Sequence, residues 1–283
     1  MLRSLLRHRL GAGCLAVLAL VVLLAVFGPL LAPYDPLAQD GTALLQAPSA
    51  AHLLGTDNLG RDVLSRLLAG STLSLLAALE AVAVGLVIGV VPGLLSVYLG
   101  RPFEWVTLRI MDAFVTLPFL VFAVAMTALL GNGLTQAMLA VGILISPAFY
   151  RVTRAAAFPV ASAPYVEAAR LSGAPALFVL RRHVWPKVAP AVAVSTASLL
   201  GASLVIVSSL TFLGIGIRPP APTWGGMLAT NLEYLFARPT GPLVPALLII
   251  VTVGACNGLA DALRDVTGAP SLLSSARKGL ARV

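Results

Sequence analysis

Six stretches of this chain run apolar for about the length that an α-helix needs to cross a bilayer, roughly 20 residues at 1.5 Å of rise each. They cover about Leu10 to Ala32, Ser71 to Leu99, Ile110 to Leu130, Leu134 to Phe149, Val188 to Leu213 and Leu243 to Ala262. In lipid an isolated strand leaves its backbone groups unpaired, so runs of this kind fold as helices. The first run exceeds the apolar region of a secretory signal, about 7–15 residues, and reads as a retained span. At 59% apolar and 11% charged, against roughly 45–50% and about 25% in soluble domains, the chain is an all-α integral membrane protein.

The net charge of +8 is scattered between apolar runs, with no aromatic interleaving, which argues for a topology signal and against nucleic acid. Counting Lys and Arg by side with the N-terminus inside gives three before the first span, two in 100–109, six in 151–187 and four after 262. Only Arg61, Arg66, Arg218 and Arg238 fall on the other side. The bias places both termini and the 151–187 segment in the cytoplasm.

Within that segment, Tyr165 to Pro186 is a long polar interruption. Glu167 to Leu171 are good helix formers, Gly173 and Pro175 break the path, and Ala176 to Trp185 resumes it, which predicts two short helices at an angle. In the second, Leu177, Leu180 and Val184 share a face that suits a protein groove, with Arg181 and Arg182 off it. On the opposite side, Asp57, Asn58 and Gly60 form a turn before Val63, Leu64, Leu67 and Leu68, the apolar face of a short helix expected along the membrane surface. Gly85, Gly89 and Gly93, spaced by four, mark a smooth stripe for close helix contact. Pro118 is expected as a kink in the third span.

Glu80 lies about ten positions into the second span, where an acid usually faces a bundle interior or a water-filled path. It is either a pathway group or a hydrogen-bonded helix contact. Asp112 and Asp261 lie near span ends within reach of Arg109 and Arg264. Trp224 with Gly225 is either an interfacial anchor or part of a gate or docking surface, and Asp57 to Arg61 carries the same two readings. Cys14 and Cys256 sit inside apolar runs as packing residues, and His8, His52 and His183 are too dispersed for a metal site.

These residues also carry a resemblance. Glu167-Ala168-Ala169, then Gly173, Arg182-His183 and Pro186, resemble the EAA loop of ABC-importer permeases of the peptide and nickel branch. His52 to Leu68 resembles that branch's HPLGTDxxGRDVLSRLL, with leucine in place of the proline. Arg109, Asp112 and Pro118 resemble its R-x-x-D-x-x-x-x-x-P, and Leu210 to Leu228 resembles SFLGLGxxPPxPSWGxML. Asp261 to Asp265 resembles its closing DxLRD, although Trp185, Ala260 and Thr267-Gly268-Ala269 depart from the usual residues. The chain is thus similar to the C-type permease subunit of dipeptide and oligopeptide importers.

The resemblance implies six transmembrane helices of the type I importer permease fold with a cytoplasmic coupling loop, in a prokaryotic plasma membrane. Residues 1–69 would form an N-terminal span with an extracytoplasmic segment, 70–265 the permease core and 266–283 a cytoplasmic tail. Implied partners are a companion B-type permease, two ATPase subunits and an extracytoplasmic substrate-binding protein. Glu167, Ala168, Ala169, Gly173, Arg181, Arg182, His183 and Pro186 would couple to the ATPase, with Glu167 held by that partner or by Arg170 or Arg181. No Gly-x-x-x-x-Gly-Lys-Ser/Thr loop surrounds Lys187 or Lys278, so ATP and magnesium would be bound by the partners and the chain would be no enzyme. Its cargo would be peptides, with a nickel chelate or haem on the same architecture, or a secondary transporter or channel, as alternatives. A hydrolase is disfavoured because no span contains histidine and Gly-x-Ser-x-Gly is absent.

Overall fold

The computed structural model describes residues 2–217 and 220–268. Arg218, Lys278 and the expected tail from 269 onward lie outside them. The elements in order are α1 (Leu2–Arg7), α2 (Arg9–Leu31), α3 (Val63–Ser96), α4 (Arg101–Thr116), α5 (Phe119–Leu130) and α6 (Leu134–Ala161). There follow α7 (Pro164–Leu171), α8 (Ala176–Val179) with a π-turn at Leu180–Val184, α9 (Trp185–Phe212), α10 (Trp224–Glu233) and α11 (Leu243–Thr267).

Five helical runs among the described residues have the length and apolarity to cross a membrane: α2, α3, α6, α11 and the continuous run Ala176–Phe212. The bent pair α4 and α5 makes a sixth. The chain is therefore a multi-pass membrane protein of the expected class. The third span departs from the expected kink, because α4 and α5 meet at 98°. Proline disfavours helical backbone in the residue before it. Leu117 accordingly takes φ −72° and ψ 128°, and α5 restarts behind Pro118.

α3 and α6 form the most extensive helix pair. The glycine stripe lies at their contact: a methyl on Gly89 would stand 2.6 Å from Phe149 Cβ, and one on Gly93 3.0 Å from Thr153 Cβ. Backbones approach that closely only where side chains are missing. Ala77, Ala81, Ala137, Met138, Val141 and Phe149 fill the seam in one core that continues onto α9 through Val188, Leu204 and Leu210.

The short surface helix expected at Val63 to Leu68 is instead the beginning of α3. Val63 and Leu67 turn onto Met227 of α10 and are buried, while Leu64 and Leu68 are half-buried. Asp62 caps this helix by accepting from the Ser65 N–H at 2.8 Å, a cap worth about 1 kcal/mol. The segment between the fifth and sixth spans contains α10.

Candidate functional site

The two ends of the bundle carry the candidate residues. At the end holding α7, Gly173 takes φ +80°, and a methyl placed on it would have no atom within 4 Å. Its requirement is therefore the left-handed turn and not close packing within the chain. Glu167, Ala168, Arg181, Arg182 and Pro186 are exposed, while Ala169 and His183 are half-buried. Among the described residues Glu167 forms no ion pair with Arg170 or Arg181; Arg170 stacks over Tyr98 at 4.7 Å. His183 lies between the rings of Tyr165 and Phe178, at 6.0 and 5.9 Å.

The second short helix is not separate, because α8, the π-turn and α9 run on without interruption. The π-turn directly precedes Trp185 and Pro186, where a proline ring would clash with the carbonyl four residues earlier. An inserted residue relieves that clash. It also changes the buried face: Val179 and Val184, five apart, are wholly buried, whereas Leu177 is 63% exposed. The predicted face of Leu177, Leu180 and Val184 is thus split by the widened turn. Leu177 and Phe178 join Pro175, Arg181 and Arg182 around a shallow apolar depression of about 570 Å³.

The same end is braced by α4 lying along α6. Glu104 pairs with Arg154, Thr107 Oγ1 lies 2.9 Å from Tyr150 Oη, and Asp112 pairs with Arg151 at 3.1 Å. The expected partner of Asp112, Arg109, sits over Trp105 instead. Asp261 does pair with Arg264, at 2.8 Å.

At the opposite end, beside α10, charge is buried. Asp57 accepts from the Leu59 and Arg61 N–H groups and from Arg61 Nε, the last at 2.7 Å, and Arg66 Nε stands 3.4 Å from its Oδ2. Arg66 Nη1 donates to the Pro36 carbonyl at 3.1 Å. Arg238 donates to the carbonyls of Leu54 and Thr56; burial pulls its pKa below the usual arginine value, with Asp57 opposing. His52 Nδ1 lies 2.9 Å from Asp62 Oδ1. All of Asp57, Arg61, Asp62, Arg66 and Arg238 are at most 7% exposed.

Trp224 and Gly225 sit inside this end as well, so Trp224 is not an interfacial anchor. Trp224 is fully buried, its backbone N–H donating to Ser74 Oγ at 3.0 Å and its indole to the Leu67 carbonyl at 3.4 Å. Gly225 admits no side chain because its α-carbon abuts the Ser208 carbonyl and Thr211. Trp224 and Gly225 are thus packed within the chain, and Asp57 and Arg61 are a buried ion pair. Arg66 and Arg238 went unflagged by sequence reasoning, although their place among the four cations on the charge-poor side was a signal. Glu80 is half-buried, beside exposed Leu76, Ala83 and Val87, so it faces away from this chain's core. No side chain among the described residues hydrogen-bonds it.

The structure resembles the inward-facing methionine ABC transporter MetNI, with a TM-score of 0.57 and 20% identity over 70% of this chain and 94% of that one; the likeness establishes the type I permease fold. Residues 81–267 match the family described as binding-protein-dependent transport system inner membrane component, and residues 1–48 match the N-terminal TM domain of oligopeptide transport permease C. The chain belongs to this family of permeases. It is 40% identical to the di/tripeptide transport system permease protein DppC of Pseudomonas aeruginosa, covering 91% of this chain and 88% of that protein. It is 36% identical to the glutathione transport system permease protein GsiD of Pectobacterium atrosepticum, over 93% and 88%. It is also 36% identical to the probable D,D-dipeptide transport system permease protein DdpC of Escherichia coli K12, over 88% and 84%.

Proposed function

We propose that the chain is the C-type permease of an ATP-driven importer of short peptides, forming half of the translocation path with a companion permease. Two ATPase subunits hold ATP and magnesium, and an extracytoplasmic binding protein delivers the cargo. The observation that carries this reading is the elbow of α7 and α8. It presents Leu171, Leu177, Phe178, Arg181 and Arg182 to solvent at one end of a membrane bundle, beside the Glu167-Ala-Ala and Gly173 sequence. Isolated apolar exposure is ordinary, but a contiguous apolar patch rimmed by cations marks a docking surface. Basic residues concentrated at that end support its placement in the cytoplasm of a prokaryotic cell, together with both termini. Relatives named for di/tripeptide, D,D-dipeptide and glutathione transport support peptide cargo over a nickel chelate or haem.

Driving a transporter from about 1:99 to 99:1 between two states takes roughly 5.5 kcal/mol of differential binding. Closure of the docked ATPase pair supplies it through the elbow. The experiment reconstitutes the permeases, ATPases and binding protein in proteoliposomes. ATP-dependent accumulation of di- and tripeptides is expected, and its absence for a set of such peptides, with ATP hydrolysis intact, overturns the cargo. Replacing Leu177 and Phe178 by Asp is expected to strip the ATPase from the complex. Undiminished co-purification overturns the docking surface.

A further inference from the structure

Beside the Asp57 cluster lies a cavity of about 260 Å³, walled by Phe212, Ile217 and Met227 and lined by Arg61, Arg66 and Thr230. A smaller cavity adjoins it around Asp57 and Asn231. Among the described residues lining the two, Asp57 is the one carboxylate facing two guanidinium groups, which leaves an excess positive charge in a buried place. Its two oxygens are already committed to Arg61, Arg66 and two backbone N–H groups. The Arg61 side chain is 9% exposed and gives only Nε to Asp57; neither Nη has an acceptor among the described residues. Thr223 and Gly226, in the opening turn of α10, add the positive end of a helix to the same wall. With Nε held by Asp57, the Nη groups of Arg61 are left for an anion entering the cavity.

We propose that this cavity is a carboxylate-binding subsite, taken by the C-terminal carboxylate of a short peptide cargo on the outer side of the permease. The identification of the ligand as cargo rests on the importer reading above; the carboxylate chemistry rests on Arg61 and Arg66 alone. A guanidinium binds carboxylate through paired hydrogen bonds, and the free Nη groups of Arg61 supply such a pair. The apolar wall formed by Phe212, Ile217 and Met227 accepts the side chain next to that carboxylate. The depth of Arg61 favours a mobile chain end over an acidic side chain carried on a folded protein surface.

The test uses the assembled permease–ATPase complex in nanodiscs, without binding protein, and follows N-acetylalanine and N-acetylalaninamide by saturation-transfer NMR. The acid is expected to bind about tenfold more tightly than the amide, as loss of one charge-assisted pair implies. Arg61→Gln is expected to erase that preference, and Asp57→Asn, which removes the competing anion, to strengthen it. Equal binding of acid and amide by the unaltered complex overturns the subsite whatever the variants do. This arm is independent of transport, so a complex that prefers the acid yet moves no peptide refutes the importer reading and leaves the carboxylate site standing. In proteoliposomes with loaded binding protein, Arg61→Gln is expected to slow turnover of a free-acid dipeptide and not of its amide, at an unchanged half-saturating binding-protein concentration. A raised half-saturating concentration for both cargoes assigns the site to an acidic side chain of the binding protein and overturns the cargo assignment.

Discussion

The two ends of this bundle solve opposite problems. At the α10 end five charged side chains and a tryptophan are buried, with hydrogen bonds drawn from segments far apart in sequence. At the α7 end the chain leaves Leu171 84% exposed and Leu177 63% exposed, beside arginines with no acidic partner among the described residues. One end is completed within the chain, apart from its cavity, and the other, on the proposed reading, is half of an interface. Buried polar networks are costly when a member is lost, whereas exposed side chains contribute little to the fold of the chain that bears them. Truncation of a core side chain at the first end should therefore destabilise the chain, and substitutions at the second should act on the complex and spare the fold.

That contrast can be broken at four points. Trp224→Ala removes the largest wholly buried side chain and is expected to cost about 3–5 kcal/mol, read as a lowered unfolding midpoint in detergent. A midpoint like that of the unaltered chain would mean that α10 is not core. Arg238→Ala strands the Leu54 and Thr56 carbonyls and is expected to cost about 2–3 kcal/mol; proteolysis within 42–56 should rise with it. Gly173→Leu places a side chain at φ +80°, a strain of about 1–2 kcal/mol confined to the elbow. The permease should still insert, with ATPase association and substrate-stimulated hydrolysis weakened. Replacement of Leu177 and Phe178 by Asp should change the unfolding midpoint least, by about 0.5 kcal/mol or less. If that last pair destabilised the isolated chain as much as Trp224→Ala, the division between the ends would fail.

Much of the fold was legible because helices in lipid leave so few choices. Span positions follow from apolar runs, and a close helix contact on α3 follows from glycines at 85, 89 and 93, since a spacing of four keeps them on one face; that α6 is the partner does not. The elbow followed from Gly173 and Pro175. What escaped has physical reasons. Pro118 announces a break but not its angle, because the angle depends on what α4 and α5 meet on α6. Asp112 has Arg109 close in sequence, yet it pairs with Arg151, which the α4–α6 packing brings near. The contact of Arg238 with Leu54 and Thr56 joins residues more than 180 positions apart, which no local pattern records. Trp224 looked like an interfacial aromatic because its neighbours Thr223, Gly225 and Gly226 are polar or small. Those small residues are what allow α10 to sink against α9.

The unbroken run from Ala176 to Phe212 has a mechanical meaning. Its 37 residues make a strut of about 55 Å at 1.5 Å per residue, with Leu177 and Phe178 at one tip and Phe212, a wall of the arginine cavity, at the other. Tilting such a strut by about 5° about its midpoint displaces each tip by roughly 2 Å, in opposite directions. On the proposed reading, a push at the elbow would arrive as an opposed movement of the cavity wall, without any loop having to relay it.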